Sequence, residues 1–396
     1  MKKVFLKGRS QGGPIHSLYR GLLDFPPEGY QFVTRGLAPT KRQNLVFDLD
    51  RKFRNIPGGG GTWLRLKTLQ YLAIRIIQDM QAGSKANPDL IYASQQLTSA
   101  RMPWVVDFEY VNALVNYGDI RLCKRFVQRA LASKWCKKIL PWSDWAKRTL
   151  YRSLDCGSFK EKIEMIHFAA SPKDFVKTEK DDKVRLLFVG STNQFNFLNF
   201  EWKGGYEVVD AFLTLSKKYD GLELVMRSWV PPEIQKKCTN RPDIKVFSTP
   251  LSEDALARLY ASSDVFLFPT HLNLGMAILE AMSYELPVIA VSLYDVPEAI
   301  QDMKTGVLLK PSPNVPYYTW NGAPNHNDWE LLQRIRRSRA WMVDQIVEKA
   351  SVLIEDSSLR KRLGREARQR IEQGEFSIKK RNEKLKRVFD EASFAA

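Results

Sequence analysis

The chain has four cysteines in 396 residues, none in a C-x-x-C pair and none with a histidine partner nearby. That leaves no zinc site and no disulfide framework to expect, and the four read as reduced thiols of a cytoplasmic protein. No uncharged run approaches the roughly 18 residues that a membrane-spanning helix requires. The opening residues MKKVFLKGRS are too charged for a secretory leader. Low-complexity tracts and internal repeats are also missing, which excludes solenoid, collagen-like and disordered classes. With 44% hydrophobic and 27% charged residues, the chain is long enough for two or three cores.

Acidic residues are in short supply, and unevenly so. The formal charge is +17. Residues 1–175 hold 29 Lys and Arg against 14 Asp and Glu, whereas residues 176–375 hold 26 against 27. One half is basic and the other neutral, which places a boundary near 172–182, in the polar stretch SPKDFVKTEKDDK.

Strand-like and helix-like stretches alternate through both halves. KKVFLKG, YQFVTRG, QNLVFDLD, PDLIYAS and MPWVVDFEY read as strands in the first. VRLLFVGS, LELVMRS, IKVFS, DVFLFPT and LPVIAVS do so in the second. Helical spacing recurs between them, around 62–81 among other places. Over 119–134 it places Leu122, Phe126, Val127, Ala130 and Leu131 on one face, with Arg121, Lys124, Arg125 and Arg129 on the other. Residues 328–392 read as almost all helix. This alternation predicts an α/β protein with two doubly wound parallel sheets, and ligands at the carboxyl ends of the strands.

The stretch FPTHLNLGMAILEAMSYELPVIAVS, residues 268–292, fits that geometry. A strand ending at Pro269 leads through Gly275 into a helix with no acid in its first turn. A glycine there admits a ligand close to the backbone, and free N–H groups with the helix dipole favour phosphate. Glu280, a turn and a half on, is placed to accept hydrogen bonds from a ribose diol. The pattern suits a nucleoside diphosphate.

The same stretch resembles the core pattern of glycosyltransferase family 4, E-G-F-G-x-x-x-L-E-A-M-A-x-G-x-P-V-I-A. The likeness continues in FVGSTNQFNFLNFEWKGGYEVVDAF, SSDVFLFPT, DVPEAIQDMKTGVLLKP and LIEDSSLRKRLGREARQRIEQGEFS. It is weaker in SQGGPIHSL and IEMIHFAASPKDF of the first half. The resemblance implies a GT-B fold, with two Rossmann-like domains facing across a cleft and a C-terminal helix crossing back to the first. It makes 1–175 the acceptor-binding domain, 176–375 the donor-binding domain and 376–396 the returning helix. It also implies retention of anomeric configuration and no metal or other cofactor, with a nucleotide sugar as substrate.

By the same resemblance, Lys203 of WKGG holds the diphosphate and acts with Glu280 in catalysis. Gly190, Ser191, Asn273, Leu274, Gly275, Met276 and Ala277 line the donor. Arg227 stands in for the arginine that relatives carry where this chain has Ser191. The first glutamate of the motif, eight positions before Glu280, is replaced by Leu272, with Asn273 or His271 as substitute sugar contacts. On the acceptor side stand Gly12, Gly13, His16, Asp107 and Glu109. The D-x-D of Asp48 and Asp50 reads as a solvated strand end, GGGG at 58–61 as a loop over the acceptor, and 314–329 as an insertion without family counterpart.

The leading expectation is a retaining glycosyltransferase with an anionic or lipid-linked glycan acceptor, peripheral on the inner face of an anionic membrane. The segment 121–152 motivates the membrane, with ten Lys and Arg and with Trp135, Trp142 and Trp145 interleaved. Two alternatives stand beside it. Leu272 and Ser191 raise a non-catalytic partner of the same fold, and the basic half raises a nucleic-acid-binding protein, for which no known module is present.

Overall fold

A computed structural model describes residues 1–7, 17–34, 87–177, 183–192, 198–324 and 329–394. Gly12, Gly13, His16, Asp48, Asp50, the glycine run and the helix expected over 62–81 lie outside these residues. The chain forms two compact units: Met1–Ala169 with Tyr318–Trp329 and Ile378–Ala396, and Ala170–Tyr317 with Glu330–Ser377.

The first unit is built on five parallel strands, β1 (Lys2–Lys7), β2 (Tyr30–Val33), β3 (Leu90–Ser94), β4 (Trp104–Phe108) and β5 (Cys136–Pro141), in the order β2-β1-β3-β4-β5. Leu90, Trp104, Val105, Val106 and Phe108 are almost wholly buried, as central parallel strands covered on both faces require. Strand β5 is not evident from its sequence, CKKILP, because two of its six residues are lysines. Lys138 keeps its charge there through Glu164 at 3.4 Å and Glu391 at 2.6 Å.

Helices α1 (Ser17–Asp24), α2 (Ile120–Ala132) and α3 (Asp144–Ser153) belong to this unit. The C-terminal helix Ile378–Phe394 packs on β3 and β5. Phe389 meets the rings of Tyr30, Phe32 and Tyr92 edge-on. Arg381 donates to the carbonyls of Gly21 and Phe25.

Helix α2 is rotated from the expected face. It buries Ile120, Cys123, Val127 and Leu131, while Leu122 is 50% and Phe126 41% exposed. Positions 120, 123, 127 and 131 form the continuous stripe, and the sheet selects it. Trp142 and Trp145 are also buried, at 6% and 4% exposed. Their N–H groups bond Asp107 and the Gly322 carbonyl, so neither is an interfacial anchor.

The insertion is divided between the units. Residues 318–329 belong to the first unit, although residues of the second flank them in sequence. Asn321 donates to Ser153 Oγ at 2.9 Å and Asn112 Oδ1 at 3.1 Å. Gly322, at φ +81°, adopts a backbone that only glycine takes readily.

The second unit carries six parallel strands: β6 (Val184–Val189), β7 (Leu222–Arg227), β8 (Ile244–Phe247), β9 (Val265–Phe268), β10 (Val288–Val291) and β11 (Gly306–Leu309). Their order is β11-β10-β9-β6-β7-β8. The chain winds outward from β6 to β8, then resumes on the other side of β6 with β9. Helices α4 (Leu198–Trp202), α5 (Gly205–Leu215), α6 (Pro232–Cys238), α7 (Glu253–Ala261) and α8 (Met276–Ser283) connect these strands. The order reverses between β6 and β9, and the crevice outside their carboxyl ends is where such sheets bind ligands. The loops leaving those ends begin at Gly190 and Pro269.

Candidate functional site

The switch point of the second unit gathers most of the donor-side candidates. Gly190 and Ser191 follow β6. A Cβ at Gly190 would collide with the Ser228 hydroxyl, so the close approach of the β6 and β7 ends requires glycine. Arg227 ends β7 and donates from Nη1 to the Gly190 carbonyl at 3.2 Å, while its buried Nε has no hydrogen-bond partner among the described residues. Lys203 follows α4, its Nζ 5.8 Å from the centre of the Phe268 ring at the end of β9. Gly204, at φ +77°, then turns the chain against the Pro269 carbonyl, where no side chain fits.

Helix α8 begins at Gly275, which has an extended backbone and no side-chain cap, and there is no acid in its first turn. A Cβ at Gly275 would meet nothing within 4 Å. Its φ of −109° suits any residue, so the glycine's contribution is room beside the helix N-terminus. Met276 and Ala277 supply first-turn N–H groups that a helix leaves without internal partners. The loop before them is fixed from both sides. The Trp202 carbonyl accepts from His271 N at 2.8 Å, and Asp295 Oδ1 accepts from Leu274 N at 2.8 Å. Leu272 and Asn273, between these anchors, are half-buried.

Charge at this point is unbalanced in favour of cations. Burial pushes the Lys203 ammonium down to about 8, neighbouring Arg227 pushes the same way, and Glu280 opposes them. Burial raises the Glu280 carboxyl, opposed by the Tyr260 hydrogen bond of 3.3 Å and by Lys173, Arg227 and Lys203. Three cations, Lys203, Arg227 and Lys173, thus act on the one carboxylate of Glu280, in the second turn of the helix that Gly275 opens. An anion there relieves the repulsion between Lys203 and Arg227. Tyr260 and Lys173 carry no motif that would mark them in the sequence, and Tyr260 stands in the unremarkable run ARLYASS.

His271 does not face this crevice. It is 2% exposed, and its ring stacks on Tyr317 at 5.9 Å between centroids. Nε2 lies 3.6 Å from Glu207 Oε1. Glu207 is 1% exposed, neither of its oxygens has a hydrogen-bond partner among the described residues, and Arg339 Nε approaches Oε1 at 3.8 Å. The expectation of His271 as a sugar contact is therefore corrected: its ring is committed to the interior behind the loop.

Asp107, expected as an acceptor contact, lies in the first unit enclosed by donors. It is 1% exposed and accepts from Tyr19, Tyr92, Trp142 and the Gln95 N–H at 2.9 to 3.2 Å. Burial raises its carboxyl to about 6 against these four donors. The adjoining cavity, about 20 Å³, borders Tyr92, Trp142, His167 and Arg381 and has room for about one water. Glu109 is half-buried against the Tyr117 hydroxyl. A hollow of about 440 Å³ lined by Phe175, Arg365, Arg368 and Glu285 lies past the far end of α8. It is remote from Gly275, and its Arg368 is already paired with Glu372 at 2.6 Å. Among the described residues no group of three or more His, Cys, Asp or Glu is arranged to hold a metal.

Residues 183–316 match the family model of glycosyl transferases group 1. That span runs from the start of β6 past β11 and contains every donor-side candidate. Sulfoquinovosyl transferase SQD2 from Arabidopsis thaliana is 41% identical over 83 residues, which cover 20% of this chain and 16% of the relative's length. Among solved structures, a glycosyltransferase from Rickettsia africae superposes with a TM-score of 0.63 at 15% identity, covering 99% of this chain and 98% of its own. Sucrose-phosphate synthase from Thermosynechococcus elongatus gives 0.60 at 12%, with 100% of both chains covered. HepE from Anabaena, solved with UDP and glucose, gives 0.59 at 15%, covering 98% and 99%. At such identities the likeness concerns architecture, and the chain has the GT-B fold of two Rossmann-like parallel-sheet domains.

Proposed function

We propose that the protein is a retaining glycosyltransferase that moves a sugar from a nucleoside diphosphate to a hydroxyl of an anionic or lipid-linked glycan. The observation that carries this reading is the excess of positive charge from Lys203 and Arg227 near Glu280, in the second turn of α8 and inside the matched stretch. Lys203 and the N–H groups of Gly275, Met276 and Ala277 hold the diphosphate, and Glu280 accepts from the ribose hydroxyls. Gly190 and Ser191 border the leaving group, while Asn273 and Leu274 border the sugar. HepE, a neighbour in fold, was solved with UDP-glucose, which supports a uridine nucleotide as the first donor to try.

In the transfer, the bond from the anomeric carbon to the diphosphate oxygen breaks and one to the acceptor oxygen forms on the same face. The acceptor proton passes to the departing diphosphate, which acts as base, so no strong protein base is needed. Positive charge aimed at the leaving oxygens lowers the barrier as that bond breaks. Lys203 and the α8 N-terminus supply this charge without a metal. The basic first half, with Glu109 and the Gly12–His16 stretch, receives the acceptor, and its charge suits an anionic partner. The four cysteines, all free and buried, support a reducing cytoplasmic setting, with the protein peripheral on the membrane's inner face.

A second reading has one observation in its favour. Leu272 occupies the position of a motif glutamate and offers no polar group to a sugar, as in a non-catalytic partner of the same fold. Nucleotide release from a panel of nucleotide sugars, with and without EDTA, separates the two. Release that survives chelation supports the enzyme, and absence of release from every donor that binds supports the partner.

A further inference from the structure

Helix α2 turns a mixed face to solvent. Arg121, Arg125 and Arg129, spaced by four, form one row, and Leu122 and Phe126 form the adjacent row. All five are exposed, as is Lys124. Among the described residues Lys124, Arg125 and Arg129 have no acidic partner, whereas Arg121 is paired with Asp119 at 2.8 Å. The Arg121 guanidinium also lies 5.8 Å from the centre of the Trp320 ring, and Trp320 is 54% exposed. Trp320 belongs to the part of the insertion that packs on this unit, so an aromatic ring extends the patch beside the start of the helix.

We propose that this face of α2, with Trp320, docks the protein on an anionic lipid surface. A lone exposed leucine needs no explanation, but Leu122 and Phe126 beside unpaired cations and a tryptophan form a patch that water alone leaves unsatisfied. Cations contact the headgroups, the apolar row enters the headgroup and acyl boundary, and tryptophan favours that depth. A soluble polyanion explains the arginines and gives no role to Leu122 or Phe126. No helix among the described residues is long and apolar enough to cross a membrane, so the contact is one of a helix lying on the surface. The inference rests on the first unit being the acceptor side and adds how that side reaches a lipid-linked acceptor.

The test uses the full-length protein and sedimentation with phosphatidylcholine vesicles, with and without phosphatidylglycerol, at low and high salt. Binding is expected only with phosphatidylglycerol, and it is expected to weaken with salt. Arg125→Glu with Arg129→Glu should abolish it, since each arginine near such a surface is worth about fivefold in partitioning. Leu122→Ser with Phe126→Ser should weaken it about tenfold, and a cooperative melting transition in the same variant shows that it is still folded. Two results overturn the proposal: no vesicle binding at low salt, or vesicle binding that survives both double variants, which places the contact elsewhere on the protein. UDP titration of the same proteins keeps the two readings apart. Vesicle binding without nucleotide binding leaves this inference standing and removes the donor assignment.

Discussion

Tyr260 donates its hydroxyl to Glu280 Oε2 at 3.3 Å, from the helix preceding β9 to the helix following it. The bond fixes one carboxylate oxygen and leaves the other for a ligand. Glu280→Ala removes a charge-assisted contact of about 1.5–3 kcal/mol, and nucleotide affinity should fall roughly ten- to a hundredfold. Tyr260→Phe should cost less, about 0.5–1.5 kcal/mol, by freeing the carboxylate without removing it. Calorimetry on both variants checks this, and an unchanged affinity in folded Glu280→Ala contradicts the assignment.

Lys203 is depressed to about 8, so its charge is half lost near that pH. The protonated form binds a diphosphate. Affinity for UDP should therefore decline as pH rises through about 8, and binding near that pH should take up a proton. Titration in two buffers of different ionisation heat reads the uptake directly. Lys203→Met should abolish both the uptake and the decline. A pH-independent affinity in the native protein argues for a lysine away from the ligand.

The raised carboxyl of Asp107, at about 6, makes a prediction about stability. An unfolded aspartate titrates near 3.9, so between roughly 4 and 6 the folded chain holds more protons than the unfolded one. Stability should fall as pH rises through that window, by up to about 3 kcal/mol. Asp107→Asn should flatten this part of the profile in urea unfolding. If the slope persists in the variant, it comes from other groups.

His271 and Glu207 lie 3.6 Å apart behind the loop that precedes α8. His271→Phe keeps the stacking on Tyr317 and removes the imidazole from Glu207, leaving Arg339 as its remaining cation among the described residues. It should destabilise by about 1–3 kcal/mol and weaken UDP binding by loosening residues 272–275. Equal stability and affinity in the variant would show that the contact positions nothing.

The sequence discloses the sheets and the β6–β9 crevice more readily than the interior of the first unit, for identifiable reasons. VRLLFV, LELVMR and VFLF are buried on both faces and read as such. Gly275 and Glu280 lie five positions apart, so one helix sets their geometry. Asp107 is different. Its partners Tyr19, Tyr92 and Trp142 are scattered through the chain, and nothing near residue 107 distinguishes a strand-end acid in solvent from one enclosed by donors. Helix α2 carries two apolar rows, and only contact with the sheet decides that 120, 123, 127 and 131 face inward. Trp142 and Trp145 misled for the same reason, since an interfacial tryptophan and a core tryptophan among lysines look alike until their N–H partners are known. The return of 318–329 to the first unit depends on Asn112, Trp145 and Ser153, far upstream.

The central claim is that the β6–β9 crevice holds a nucleoside diphosphate sugar. The most direct measurement is calorimetric titration of the full-length protein with UDP-glucose and its ADP, GDP and TDP counterparts, repeated in EDTA. The account predicts binding of at least one donor, unaffected by chelation and weakened at least tenfold by both Glu280→Ala and Lys203→Met. Failure of all four to bind, or binding indifferent to both substitutions, would contradict it.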